Sequence, residues 1–198
     1  IEFIQDYRDR GFRSQLQGVP KVDSTIEIEK KYLRFMSDAS RYAYLSMDEA
    51  IRDAGLERDA IQHPRIGVVA GSGGSAMSTH TESVEKMKER GPRRVSPFNL
   101  PRIMSNSVSA NLATSFQIQG LNYSITSACS TSAHCIGHAA EQVQLGNQDI
   151  VFAGGGEECN WTLVMYFDTM RASSTHFNDA PETASRPYDR DRDGLVIS

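Results

Sequence analysis

Between Ile103 and Ala140 the chain carries no Asp, Glu, Lys or Arg for 38 consecutive residues, although 23% of all its residues are charged. The run is too rich in Ser, Ala, Asn and Gly to span a membrane. Small uncharged side chains let backbones approach closely, so these residues are expected to form elements buried on most sides. The burial could be in the core or against a second subunit. The 198 residues, 39% hydrophobic, suffice for one large domain with a core. They exclude a disordered tail, a collagen-like repeat and a disulfide-dense miniprotein. With 21 Lys plus Arg against 25 Asp plus Glu, the net charge is −4. That balance argues against a dedicated nucleic-acid binder. Three cysteines without a CxxC pair point to a reduced, intracellular protein, and no apolar run approaches the roughly 20 residues of a membrane helix. The chain begins at Ile1 and ends on an apolar LVIS, untidy places for a domain to stop.

The remaining charge is unevenly spread. Lys86, Lys88, Arg90, Arg93, Arg94 and Arg102 face Glu89 alone, a local excess of five positive charges. Lys30, Lys31, Arg34 and Arg41 against Asp38 give an excess of three. Either cluster is a solvated face or a docking surface for an acidic partner.

Residues 1–24 lack a clear period and hold Gly11, Gly18 and Pro20, so they read as irregular. Ser37 and Asp38 cap a helix with Ala39, Tyr42, Ala43, Met47, Ala50, Ile51 and Ala54 on one face, ended by Gly55. IGVVA at 66–70 predicts a buried strand turned by GSGGS, and residues 78–90 a polar helix. Pro92, Pro97 and Pro101 break the next stretch, Pro101 standing where a helix can start. LNYSI at 121–125 predicts a strand, Ser130–Leu145 a helix closed by Gly146, and DIVFA at 149–153 a second buried strand. Residues 172–193 read as loop. Strands alternating with helices predict an α/β layered fold.

Cys129 is the leading chemical candidate. It sits where YSI gives way to the STSAHCIGHA helix, and helix N-terminal N–H groups favour a thiolate and can hold an oxyanion. Ser127, Ala128, Ser130 and Thr131 beside it are small, which leaves room for a substrate. Cys135 and Cys159 lack that context and read as structural. His134 and His138 share a helix face at i and i+4, but no glutamate or third ligand accompanies them, so they read as packed histidines rather than a metal site. GSGGSA at 71–76 fits GxGxxA without the acidic residue a dinucleotide site needs. A close-approach turn beside a pocket is the better reading, with AGGG at 153–156 the same device. Glu157 and Glu158, adjacent on a turn, should point apart. Asp189, Asp191 and Asp193 among Arg186, Arg190 and Arg192 read as a salt-bridged loop.

Taken in order, SITSACSTSAHCIGHAAEQVQLGNQDIVFAGGGEE resembles the nucleophile segment of the β-ketoacyl-acyl carrier protein synthases, condensing enzymes of the thiolase fold. RFMSDASRYAYLSMDEAIRDAGL, RIGVVAGSGG and SRPYDRDRDGLVIS match the same family in the same order, with 75–102 the loosest match. RFMSDAS and FDTMRASST point to the synthase I branch of bacterial type II fatty acid synthesis. The resemblance implies a thiolase-like layered α/β/α fold, mainly its N-terminal βαβαβ half, and a homodimer. It makes Cys129 the nucleophile that takes an acyl group from acyl carrier protein, before malonyl carrier protein loses CO₂ and its carbanion attacks the thioester. It puts Met104 in the partner subunit's acyl pocket, and Lys30, Lys31, Arg34, Arg93 and Arg94 on the carrier-protein surface. No cofactor and no metal are expected. The family also uses two histidines, a lysine and a glycine-flanked phenylalanine from its second half, contexts that His63, His80, His134, His138 and His176 do not match. Residues 1–198 are therefore expected to be one partial domain cut at both ends, inactive in condensation by itself. A polyketide-type ketosynthase and a non-catalytic dimerising subunit are the alternatives; the retained cysteine counts against the second.

Overall fold

Every residue of Ile66–Gly71 is buried, and both neighbours of this strand run parallel to it. A strand covered on both faces needs apolar residues without alternation, which IGVVAG supplies. The computed structural model describes residues 1–22 and 27–198. In order the elements are β1 (Glu2–Phe3), α1 (Gln5–Asp9), β2 (Leu16–Gln17), α2 (Lys30–Leu33), α3 (Asp38–Asp53), β3 (Ile66–Gly71) and α4 (Met77–Arg90). There follow α5 (Asn99–Ile103), α6 (Ser107–Phe116), β4 (Asn122–Tyr123), α7 (Thr131–Gln144), β5 (Ile150–Gly155) and α8 (Trp161–Thr169). Two compact units result, Ile26–Glu158 and Ile1–Thr25 with Cys159–Ser198.

In the first unit the sheet order is β4-β3-β5. Successive β3 side chains point to opposite faces. Ile66, Val68 and Ala70 join Ala39, Ala43, Tyr44, Met47 and Ile51 of α3 and Val108, Leu112 and Phe116 of α6. Val69 turns the other way, to Cys135 and Ala139 of α7. The expected α/β/α layering is thus present. Ser37 caps α3, its Oγ accepting from Ser40 N at 3.3 Å. The expected face of α3 shifts slightly: Tyr44 is buried, whereas Ala50 and Ala54 are exposed. Tyr44 wins the core place by stacking on Phe116 at 4.7 Å.

Three expectations need correction here. The 149–153 strand is only partly buried, because β5 is the sheet edge among the described residues. The 121–125 strand shrinks to β4, since the chain leaves the ladder to turn toward α7. α6 was not expected; its apolar stripe Val108, Leu112, Phe116 is diluted by the buried serines Ser107, Ser109 and Ser115, of which the first two bond through their hydroxyls. Within the uncharged run α6 is buried, but α7 leaves Ile136 55% exposed.

In the second unit the irregular reading of the first residues fails. β1 pairs antiparallel with β2, and Tyr7 and Leu16 are buried. Two-residue strands are too short to print a period. Residues 23 and 24 of that span lie outside the described residues. Burial, then the Cys159 thiol, raises the Tyr7 phenol well above its ordinary pKa. The 172–193 stretch is loop apart from a 3-10 turn at Pro181–Thr183. Among its acids, Asp189 and Asp191 do pair with Arg186 and Arg190. Asp193 instead accepts from Ser174 Oγ and the Thr175 and His176 amides at 2.7–2.8 Å. No helix among the described residues is long and apolar enough to cross a membrane.

Candidate active site

β3 and β5 end in register, Gly71 opposite Gly155, so two glycine turns leave the sheet side by side. The C-terminal ends of parallel strands are where α/β sheets open a crevice. Here the crevice is a cavity of about 140 Å³. Its walls are Gly71, Ser72 and Gly73 after β3, Gly155, Gly156 and Glu157 after β5, and Ala128, Cys129, Thr131 and Ser132. A larger, apolar cavity of about 250 Å³ lies between α3, α6 and the sheet, with no titratable group in its lining. The smaller one holds the thiol, so it is the chemical candidate.

Cys129 stands on a tight elbow. Ala128 adopts a left-handed backbone, φ 51°, which an L-residue other than glycine enters only at a cost. Ser130 N donates to Ser127 O at 3.1 Å, Thr131 N to Ala128 O at 3.1 Å, and Ser127 N to Thr131 Oγ1 at 2.9 Å. α7 begins at Thr131 with Ser130 as its N-cap, and Cys129 just before them is exposed. The thiol thus lies at the positive end of a 14-residue helix, as the sequence suggested. Cys135 is buried with its Sγ toward Ile125 O, and Cys159 is half-buried in the other unit.

The glycine turns make close approaches. A Cβ on Gly71 would overlap the Ile125 carbonyl oxygen, and one on Gly73 would come within 2.8 Å of Ala128 O. Glu157 and Glu158 do point apart. Glu157 accepts from Ser72 Oγ and the Gly73 and Gly74 amides. Glu158, 1% exposed, accepts from Ser78 N and Oγ at the start of α4. Sequence reasoning missed Ser72 and Glu157 as site residues. They are 85 positions apart, and only the β3–β5 register unites them.

His134 and His138 take separate partners. His134 Nδ1 is 2.7 Å from Ser127 Oγ, while His138 contacts Glu141 and Gln142 at 3.2 Å. Among the described residues no group of three or more His, Cys, Asp or Glu could hold a metal ion.

The two basic clusters meet. Arg34 follows α2 and lies over Phe35 and Phe98 at 5.0 and 5.2 Å, and Arg102 Nε donates to its carbonyl at 3.1 Å. The 92–102 segment is thereby fastened beside Lys30 and Lys31, with Arg93 and Arg94 exposed in the 3-10 turn Pro92–Arg94. Lys31 is not an unpaired charge. It is 2.8 Å from Glu29, which raises its ammonium pKa. Met104 ends α5, is 37% exposed and is not among the residues that line the Cys129 cavity.

Residues 9–198 match the family model "Beta-ketoacyl synthase, N-terminal domain". The whole chain is 54% identical to 49% of the 3-oxoacyl-[acyl-carrier-protein] synthase 1 of Escherichia coli strain K12. It is 49% identical to the same share of the synthase 1 of Haemophilus influenzae. The chain therefore spans about half the length of the curated relatives it matches. A solved beta-ketoacyl synthase from Burkholderia phymatum covers 98% of the chain and is itself covered to 48%, with TM-score 0.87 and 29% identity.

Proposed function

We propose, from the premise that this chain belongs to the β-ketoacyl synthase family, that it carries the nucleophile of an elongating condensing enzyme. The observation that supports this most is the exposed Cys129 on its elbow, at the mouth of the cavity where the parallel strands end. Cys129 sulfur attacks the thioester carbonyl of acyl carrier protein. A new carbon–sulfur bond forms, the carrier thiolate leaves, and the proton lost by Cys129 ends on that thiol. The Cys129 amide and the start of α7 hold the negative charge that develops on the carbonyl oxygen. Malonyl carrier protein then loses CO₂. The carbanion so formed attacks the Cys129 thioester, and the cysteine thiolate departs from a product two carbons longer. The reaction yields 3-oxoacyl carrier protein for fatty acid elongation in the bacterial cytoplasm.

Two further parts of the reading are proposals at the same level. Met104 and the exposed Ile136 face of α7 lie against the second subunit of a homodimer, Met104 lining the partner's acyl pocket. Lys30, Lys31, Arg34, Arg93 and Arg94 receive the acidic carrier protein, which the net charge of −4 would otherwise repel. The test of the nucleophile is transfer of label. The complete reading frame encoding this chain is incubated with labelled acyl carrier protein, and protein-bound label is counted. Cys129→Ala should abolish transfer and Cys135→Ala should leave it; label retained without Cys129 overturns the mechanism.

A further inference from the structure

Glu157 lies where β5 turns out of the sheet, half-buried, and spends its carboxylate on one neighbouring turn. Oε1 accepts from Ser72 Oγ at 2.5 Å, Oε2 from Gly73 N at 2.8 Å, and both oxygens from Gly74 N at 3.2 Å. Three neutral donors converging on one point need an acceptor with two oxygens and no N–H of its own. A carboxylate meets that need, whereas a carboxamide would turn an N–H toward a donor. Ser72 Oγ in turn accepts from Ser75 N at 3.0 Å, which helps hold Ser75 at its positive φ of 59°. The turn is therefore tied from β5 at several points.

What the turn touches gives it a role. Gly73 packs so closely on Ala128 that an added Cβ would lie 2.8 Å from the Ala128 oxygen and 3.1 Å from its carbonyl carbon. Ala128 is the strained residue that aims Cys129. On its far side the same turn donates from Ser75 Oγ to Ile103 O at 3.0 Å, the residue before Met104. One loop thus abuts the nucleophile elbow and the proposed acyl-pocket residue together.

We infer that Glu157 and Ser72 are positioning residues for Cys129, acting through the Gly73–Gly74 turn. The inference rests on the proposed acyl transfer to Cys129. Releasing the turn lets the Ala128 carbonyl and the following thiol drift, and acyl transfer depends steeply on such alignment: about 1 Å of displacement can cost on the order of a hundredfold. Alkylation by a small, freely diffusing reagent needs a reactive thiol and little alignment. The two reactions therefore separate a positioning role from general loss of structure.

The experiment uses the complete reading frame encoding this chain, as wild type, Glu157→Gln, Ser72→Ala and the double variant. The readouts are acyl transfer at saturating acyl carrier protein, KM for that donor, and the rate of iodoacetamide alkylation at Cys129. Transfer should fall by about tenfold or more in each single variant, with KM and alkylation within about threefold of wild type. The double variant should be no worse than the poorer single one, because both act on one turn. Should Glu157→Gln give no folded protein, Ser72→Ala decides by the same criteria. A smaller fall, or alkylation lost in proportion to transfer, overturns the inference while leaving the proposed function standing. Wild-type protein that takes up no acyl group overturns the proposed function, and this inference with it.

Discussion

Ala128 and Gly71 show how much of the site is decided by single backbone positions. Ala128 accepts the left-handed region at a cost of roughly 1 kcal/mol or more, offset by the bonds of the elbow it creates. Gly71 is held by sterics, since a methyl there would overlap the Ile125 carbonyl and press on Thr131 Cγ2 at 2.9 Å. Gly71→Ala should therefore destabilise the protein by about 2–3 kcal/mol, read as a lowered midpoint in urea denaturation. A change within 0.5 kcal/mol would contradict the packing described here. Cys129 could be found in the sequence because strand-like YSI, small residues and a helix pattern are contiguous around it. Ser72 and Glu157 could not, because no local pattern announces that a serine and a glutamate 85 positions apart will share a hydrogen bond.

At the scale of elements, the seam between α3 and α6 carries a buried polar quartet inside an apolar core. Ser37, Ser40, Ser107 and Asn111 bond one another, Asn111 Nδ2 also reaching the Ser107 carbonyl at 2.8 Å. Ser37→Ala should cost about 1 kcal/mol through the lost cap, and Asn111→Ala about 1–3 kcal/mol through the unpaired hydroxyls and carbonyl. Both follow from urea midpoints at unchanged slope. A second element-scale prediction concerns the loop closed by Asp193. Burial disfavours its charge, but donation from Ser174 Oγ and the His176 and Thr175 amides outweighs this and holds its carboxyl below the ordinary carboxylate value. The resulting stability is complete above the unfolded pKa of about 4 and is lost as pH falls through the lower folded value. Asp193→Asn should flatten that part of the acid-side Tm profile, whereas an unchanged acid slope would exclude the residue as its source. The long elements α3, α4 and α7 were legible because several turns of periodicity accumulate. β1 and β2 were not, each being two residues long, while β4 was legible as a strand but not in its extent.

The whole molecule adds what neither residues nor elements contain. β4-β3-β5 order brings the ends of β3 and β5 together, and that adjacency turns two glycine-rich loops and a cysteine into one cavity. The layered fold was legible from alternating strands and helices. The union of the two basic clusters through Arg34, Phe98 and Arg102 was not, because it is a tertiary contact. If that surface receives an acidic carrier protein, reversing Lys30, Lys31 and Arg34 to Glu should raise KM for the carrier substrate by about tenfold. The effect on a small thioester should be slight and that on the carrier should weaken with added salt. Equal effects on both substrates would show that the cluster is not a docking surface. The proposed chemistry depends on the thiol at 129 being the atom that receives the acyl group. The most direct measurement is mass spectrometry of the peptide bearing residue 129 after incubation of the complete reading frame with acyl carrier protein. The mechanism predicts the acyl mass on Cys129, removable by hydroxylamine as a thioester; the same mass on any other residue, with Cys129 unmodified, would contradict it.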